Sequence, residues 1–112
     1  MIVFCNVPDE KSEEQISCTL VTEALCACVN KIPKIKSYYI YECEFCEDDE
    51  ILLMIKTAPT HFKALEQRIK ELHPYEVPEI IATPIVESSP EYKSWLLKQT
   101  DVDKYLRIAL EK

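Results

Sequence analysis

The chain has 112 residues, of which 47% are hydrophobic and none is glycine, and its formal net charge is −7. This length suits one globular domain, and the apolar content separates the chain from disordered sequences. The acidic balance argues against nucleic acid and anionic membranes as partners, because both attract clustered Lys and Arg. The lack of glycine excludes Gly-rich phosphate loops and predicts Asn or Asp wherever a turn needs positive φ.

The N-terminal segment indicates a cytoplasmic protein, and this location decides how the cysteines are interpreted. No apolar run approaches the roughly 18 residues of a membrane-spanning helix, and MIVFCNVPDEK lacks the basic start and long apolar run of a signal peptide. The six cysteines are Cys5, Cys18, Cys26, Cys28, Cys43 and Cys46. We expect all of them to be thiols, with Cys26 and Cys28 largely buried. A structural zinc ion at Cys43 and Cys46 is disfavoured, because no second ligand pair accompanies them.

The first third of the chain predicts a strand followed by a helix. The apolar run IVFCNV, residues 2–7, is typical of a buried strand and is ended by Pro8. Asp9 is the predicted N-cap of a helix that continues to about Leu25 on an i, i+4 apolar spacing.

A long hairpin is predicted next. The alternating stretch KIPKIKSYYIYECEF, residues 31–45, predicts a strand. The charged stretch CEDDE, residues 46–50, predicts the hairpin tip, with Asp48 and Asp49 in place of Asn-Gly. ILLMIKT, residues 51–57, is the predicted return strand and is apolar on both faces.

The rest of the chain predicts a helix, a strand and two further helical segments. Thr60 is the predicted N-cap of a helix whose apolar stripe consists of Phe62, Leu65, Ile69 and Leu72. HPYEVPE, residues 73–79, then precedes the apolar strand IIATPIV, residues 80–86. A short helix carries Tyr92, Trp95 and Leu96. A last helical pattern contains Val102, Tyr105, Leu106 and Ala109.

This order, β-α-β-β-α-β and then two helical pieces, predicts an α+β ferredoxin-like fold, a four-stranded antiparallel sheet with two helices on one face. We expect a single domain over residues 1–112, with 98–112 as a C-terminal helical extension. Strands that are apolar on both faces are buried on both faces. We therefore expect an oligomer that packs through its sheet faces and hairpins.

Several motifs resemble those of the CutA family of divalent-cation tolerance proteins. They are Asn6-Val-Pro-Asp-Glu10, Ala27-Cys-Val-Asn30, Ile35-Lys-Ser-Tyr-Tyr39, Ile55-Lys-Thr57, His73-Pro-Tyr-Glu-Val-Pro-Glu79 and Tyr92-x-x-Trp95. The family hairpin usually reads Tyr-x-Trp-x-Gly, whereas this chain has Tyr41 for the Trp and Cys43 for the Gly. Some members carry a second histidine where this chain has Leu72.

The resemblance implies a homotrimer similar to PII signalling proteins, with copper or another divalent cation as ligand and neither an enzymatic activity nor an organic cofactor. In some members a cysteine aligned with Cys5 joins the histidine of the His-Pro-Tyr loop, here His73, in holding copper. Thiolate and imidazole suit copper chemically. Leu72 leaves such a site at least one ligand short, and Glu76 or Glu79 are candidates to add oxygen. The predicted metal residues are therefore Cys5, His73, Glu76 and Glu79.

Other interpretations remain open. Pro74 and Pro78 make HPYEVPE a stiff joint whether or not it binds metal. The tyrosines of residues 38–41 are typical of a subunit interface. A scaffold that anchors another protein is a second functional class. A small acyl-phosphate hydrolase on the same fold is disfavoured, because its Arg-lined phosphate cradle lies beside the first strand and helix, and no arginine precedes Arg68.

Overall fold

The computed structural model describes residues 1–101. Its strands are β1 (Ile2–Val7), β2 (Cys28–Tyr41), β3 (Glu44–Lys56) and β4 (Ile81–Thr83), and its α-helices are α1 (Glu10–Thr22), α2 (Phe62–Leu72) and α3 (Pro90–Gln99). The strands form one antiparallel sheet in the order β2-β3-β1-β4. The predicted α+β ferredoxin-like arrangement is confirmed. The last predicted helical pattern, from Val102 to Ala109, lies outside the described residues.

The core lies between the sheet and the two helices α1 and α2. Side chains alternate along a strand, so one face of β1 and β3 supplies the buried residues Val3, Cys5, Val7, Ile51, Leu53 and Ile55. The helices cover this face with Ile16, Leu20, Leu65 and Ile69, all of them fully buried. The opposite face is also apolar but only half-covered, since Phe4, Leu52 and Met54 are half-buried there.

The sequence predicts the N-cap of α1 correctly and the N-cap of α2 wrongly. Asp9 caps α1 by accepting a hydrogen bond from the Ser12 amide at 2.7 Å. This helix ends at Thr22, before the predicted Leu25. Thr60 does not cap α2, because it lies inside a 3₁₀ turn, Pro59–His61, that precedes the helix. Pro59 occupies the first position of this turn, so the turn already begins one residue before Thr60.

The predicted hairpin tip is wrong. The strands pair as far as Tyr41 and Glu44, so the two-residue turn consists of Glu42 and Cys43. Both have positive φ, 49° and 66°, as the type I′ turn of a two-residue hairpin requires. The acidic stretch 46–50 therefore belongs to β3, where Lys36 on β2 pairs with Glu47 and Asp49 at 3.4 and 3.6 Å.

The prediction that Asn and Asp take the positive-φ positions is also wrong. In residues 1–101 these positions are occupied by Ala24, Lys34, Glu42 and Cys43. Lys34 lies at a register shift between Ile32 and Ile35, where the long hairpin is irregular. Lys34, Glu42 and Cys43 take these positions within the β2–β3 hairpin, where cross-strand pairing overrides the local preference. Ala24 instead follows the end of α1, where its amide donates to the Val21 carbonyl and the Leu25 amide donates to the Leu20 carbonyl, as in a Schellman cap.

The fourth strand is shorter than predicted. Only Ile81–Thr83 pairs with β1, instead of residues 80–86. Pro84 has no amide hydrogen for a ladder bond. The helix that follows matches the prediction for Tyr92, Trp95 and Leu96, and Ser89 caps it by accepting from the Tyr92 amide at 3.3 Å. No helix within residues 1–101 is long and apolar enough to cross a membrane.

The cysteines are free thiols, as predicted. Cys26 is 1% exposed, and burial raises the pKa of its thiol to about 12. Cys28 is only half-buried, so the prediction of burial is right for Cys26 and wrong for Cys28. Cys43 is exposed and Cys46 is half-buried near the hairpin tip.

Candidate metal centre

His73 connects the end of α2 to the end of β1. Pro74 disfavours helical geometry at the preceding residue, and His73 accordingly leaves the helix with ψ 137°. Its ring nitrogens both have partners. Nδ1 accepts from the Tyr75 amide at 3.0 Å, so Nε2 carries the proton and donates to the Asn6 carbonyl at 2.7 Å. The ring is therefore a neutral imidazole in a fixed tautomer, and a metal must displace one of these two hydrogen bonds.

Cys5 and His73 both lie next to the carbonyl oxygen of Asn6. The Cys5 thiol is fully buried and lies 3.8 Å from the Asn6 carbonyl oxygen. Burial, together with the charges of Glu79 and Glu50, raises the pKa of the Cys5 thiol to about 12. Two of the predicted ligands are thus close together, with Glu79 near enough for its charge to act on the thiol.

Glu76 and Glu79 line an open cleft beside this pair. The cleft has a volume of about 910 Å³ and lies between the hairpin and the HPYEVPE loop. Both side chains are exposed, and neither forms a salt bridge within residues 1–101. The structure therefore places the predicted oxygen donors at the surface, while Cys5 and His73 are buried behind them.

Two residues of this region were missed by sequence reasoning. Glu50 is only 7% exposed, and the Tyr75 hydroxyl donates to its carboxylate at 3.1 Å. Burial, together with the Glu50 charge, raises the pKa of Tyr75 to about 12, so the phenol stays protonated and remains a donor. Glu50 directly precedes the apolar run of β3, and this position is the sequence signal for its burial. The hairpin tip predicted at residues 46–50 obscured that signal.

The residues present in one chain make an incomplete metal site. Within residues 1–101, no group of three or more His, Cys, Asp or Glu side chains is placed to hold a metal ion. Cys5 and His73 offer soft donors of the kind that copper prefers, but a third donor must move in or come from another subunit. The donor chemistry fits a copper ion, whereas the number of ligands already in place is too small.

The sheet order and the pair of helices on one face define the ferredoxin-like α+β class. Residues 1–99 also match the sequence model of a family described as "CutA1 divalent ion tolerance protein". The chain belongs to this family.

Individual relatives support the assignment. The divalent-cation tolerance protein CutA of Thermus thermophilus is 46% identical over 99 residues, which cover 88% of this chain and 96% of the relative. Protein CutA of Mus musculus is 40% identical over 98 residues, or 88% of this chain, but these span only 55% of the mouse protein. The name of the Thermus thermophilus relative describes tolerance to divalent cations.

Solved structures agree with the fold. The Thermus thermophilus divalent cation tolerance protein superposes with a TM-score of 0.86 at 45% identity, covering 88% of this chain and 96% of that one. CutA from Xylella fastidiosa gives a TM-score of 0.88 at 39% identity, covering 89% of this chain and 96% of that one.

Proposed function

We propose that this protein is a homotrimeric, non-enzymatic metal-binding protein of the cytoplasm that binds copper, or another divalent cation, in metal tolerance or PII-like regulation. The observation that carries the proposal is the convergence of Cys5 and His73 on the Asn6 carbonyl, in a family named for divalent-ion tolerance. The pair consists of a thiol and an imidazole, which together favour copper over hard cations.

The surroundings of the pair favour a cation once the thiol has lost its proton. Glu79 and Glu50 raise the pKa of the Cys5 thiol because they disfavour a second negative charge beside them. The same charges attract a metal ion that replaces the proton. In the proposed site Cys5 and His73 are the buried ligands, and Glu79 or Glu76 is the oxygen donor that moves in from the cleft.

The alternative of an acyl-phosphate hydrolase is disfavoured by the one arginine of the described residues. Arg68 is the only arginine within residues 1–101, and its guanidinium pairs with Glu23 and Glu71, each at 2.9 Å. A phosphate cradle for acyl-phosphate hydrolysis needs an arginine that faces the first strand and helix. Arg68 instead joins α1 to α2 on the outside of the helix layer.

A copper titration tests the proposal. Reduced, metal-stripped protein is titrated with Cu(I) against a chromophoric chelator, and Cys5→Ser and His73→Ala are each expected to weaken binding by about tenfold or more. The double variant should be no weaker than the worse single variant, because both residues serve one site. Leu72→His should strengthen binding by adding a donor.

Matched variants and pH provide the controls. Cys18→Ser and His61→Ala change the same residue types away from the proposed site and should leave the affinity unchanged.

Because the pKa of Cys5 is about 12, the thiol is protonated at neutral pH and metal binding releases this proton. Affinity should therefore fall about tenfold for each unit by which the pH is lowered, and Cys5→Ser should abolish this dependence. A double variant that binds Cu(I) like the parent contradicts the proposal.

A further inference from the structure

Tyr75 connects the candidate ligand His73 to the hairpin. Its amide donates to His73 Nδ1 at 3.0 Å, and its ring packs against the imidazole with 4.9 Å between the ring centroids. Its hydroxyl donates to the carboxylate of Glu50 on β3 at 3.1 Å. These contacts hold the HPYEVPE loop in the position that it has in this structure, which we call closed. They all lie within one chain, so they do not depend on how subunits assemble.

The partners of His73 allow only one tautomer of its ring. A carbonyl oxygen accepts and a backbone amide donates, so the proton lies on Nε2, toward Asn6, and the lone pair of Nδ1 points at the Tyr75 amide. A neutral imidazole has a single N–H, so the chain already uses both ring nitrogens. Cys5 lies on the Nε2 side, because its thiol is close to the same Asn6 carbonyl.

Metal ligation through either ring nitrogen takes the acceptor away from the Tyr75 amide. If Nδ1 is the ligand, its lone pair is occupied. If Nε2 is the ligand, as the position of Cys5 favours, the one proton of the neutral ring lies on Nδ1. This N–H then faces the N–H of Tyr75, and two donors do not bond at the 3.0 Å that separates these nitrogens. In both cases the Tyr75 amide has to leave His73 and find another partner.

We propose that metal binding at Cys5 and His73 opens the HPYEVPE loop, and that Tyr75 couples the two events. The inference rests on the proposed copper function and describes how the protein responds at that site. Pro74 and Pro78 have fixed φ angles, so the backbone rotation falls on residues 75–77 between them. The Tyr75 hydroxyl is drawn away from Glu50 by this rotation, and the metal state is thereby passed to β3 of the hairpin.

The coupling has to be reciprocal. If metal binding opens the loop, then contacts that keep the loop closed oppose metal binding by the same free energy. The hydrogen bond from Tyr75 to the buried Glu50 carboxylate is such a contact. Its removal should therefore strengthen metal binding. A tyrosine that only supported His73 in a metal-ready position would have the opposite effect when it is substituted.

Tyr75→Phe tests this sign, because it removes the hydroxyl and keeps the amide and the ring. Chelator competition with Cu(I) on the reduced, assembled protein should show binding about five- to tenfold tighter than in the parent, the effect expected from one hydrogen bond to a charged group. Tyr92→Phe is the matched control. It removes the same hydroxyl from a ring on α3 that is equally exposed, at 39%, and should leave the Cu(I) affinity unchanged.

Amide hydrogen exchange, followed by ¹⁵N NMR, observes the loop directly. In the metal-free parent the Tyr75 amide should exchange slowly, and the ring nitrogens of His73 should show the Nε2–H tautomer. One equivalent of Cu(I) per chain should speed exchange of the Tyr75 amide by about tenfold or more, since its hydrogen bond is lost. The Tyr92 amide, which donates to the Ser89 hydroxyl, is the internal control and should not change.

The copper proposal and the coupling fail in distinguishable ways. If Cu(I) binds through Cys5 and His73 while the Tyr75 amide keeps its slow exchange, the coupling is overturned and the copper function stands. Weaker Cu(I) binding by Tyr75→Phe, or an Nδ1–H tautomer in the metal-free parent, also overturns the coupling. If Tyr75→Phe does not fold, the amide exchange of the parent decides. A parent that binds no Cu(I) overturns both.

Discussion

Cys43 at the tip of the hairpin holds a left-handed backbone conformation, with φ 66°. A side chain disfavours this region by about 1 kcal/mol or more, and glycine is free of that penalty. The stability that glycine gains in the folded state is partly offset, because glycine also gives the unfolded chain greater conformational freedom. We therefore predict that Cys43→Gly raises the free energy of unfolding by about 0.5 kcal/mol, as measured by urea denaturation at a fixed protein concentration.

Cys46→Gly is the control for this prediction. Cys46 pairs with Tyr39 in the regular part of the hairpin, where glycine is destabilising by about 0.5–1 kcal/mol. The two substitutions remove the same side chain and should act in opposite directions. A loss of stability in both variants would show that the Cys43 side chain makes contacts that outweigh its backbone strain.

The candidate site shows how far residue-level reasoning reaches. The resemblance of the HPYEVPE segment to its family indicated Cys5 and His73 as a pair, and the structure places both at the Asn6 carbonyl. The tautomer of His73 was not predictable, because its partners are a loop amide and a carbonyl 67 positions earlier in the sequence. Whether Cys5, His73, Glu76 and Glu79 bind metal stays a prediction.

At the scale of the element, α1 illustrates a local rule that works. Asp9 was predicted as its N-cap from the residue type and the apolar pattern after it, and the hydrogen bond from Ser12 lowers the pKa of its carboxyl group. Because the folded pKa is lowered, the stabilisation is present above the unfolded pKa and is lost as the pH falls through the folded pKa.

We predict that Asp9→Ala lowers the thermal midpoint at neutral pH and that this deficit disappears in acid, where Asp9 of the parent is protonated. Glu14→Ala, which removes an exposed carboxylate from the same helix without a capping contact, should show a smaller deficit at neutral pH. Thermal unfolding followed by circular dichroism at several pH values measures both. A deficit for Asp9→Ala that is constant down to pH values below the lowered pKa would contradict the capping role.

The hairpin shows where local rules fail. Residues 46–50 resemble a turn because most of them are acidic, but they belong to β3. They pair there with β2, and Lys36 of β2 forms ion pairs with Glu47 and Asp49. The turn itself consists of Glu42 and Cys43, neither of which signals a type I′ turn. Cross-strand pairing is a non-local interaction, and the sequence alone reports it only through composition. The short β4 was overestimated for a similar reason, since an apolar run does not show how much of it finds a partner.

At the scale of the whole molecule, the exposed apolar side chains of the sheet and the hairpin indicate a protein interface. The second face of the sheet leaves Ile32 and Ile81 exposed by 40% and 56%, next to half-buried Phe4, Leu52 and Met54. The hairpin carries further exposed apolar side chains, including Ile40 and Phe45, each exposed by 67%. Contiguous apolar surface of this kind marks protein interfaces. The proposed homotrimer would cover the sheet face and the hairpins, and it would therefore account for both features.

The most direct test is native mass spectrometry of the reduced protein with Cu(I), compared with the Cys5→Ser/His73→Ala variant. The account predicts an assembly of three chains of 13.0 kDa that carries one copper per chain. The double variant should form the same trimer without copper. A parent protein that remains a single chain, or a double variant that retains the full copper load, would contradict it.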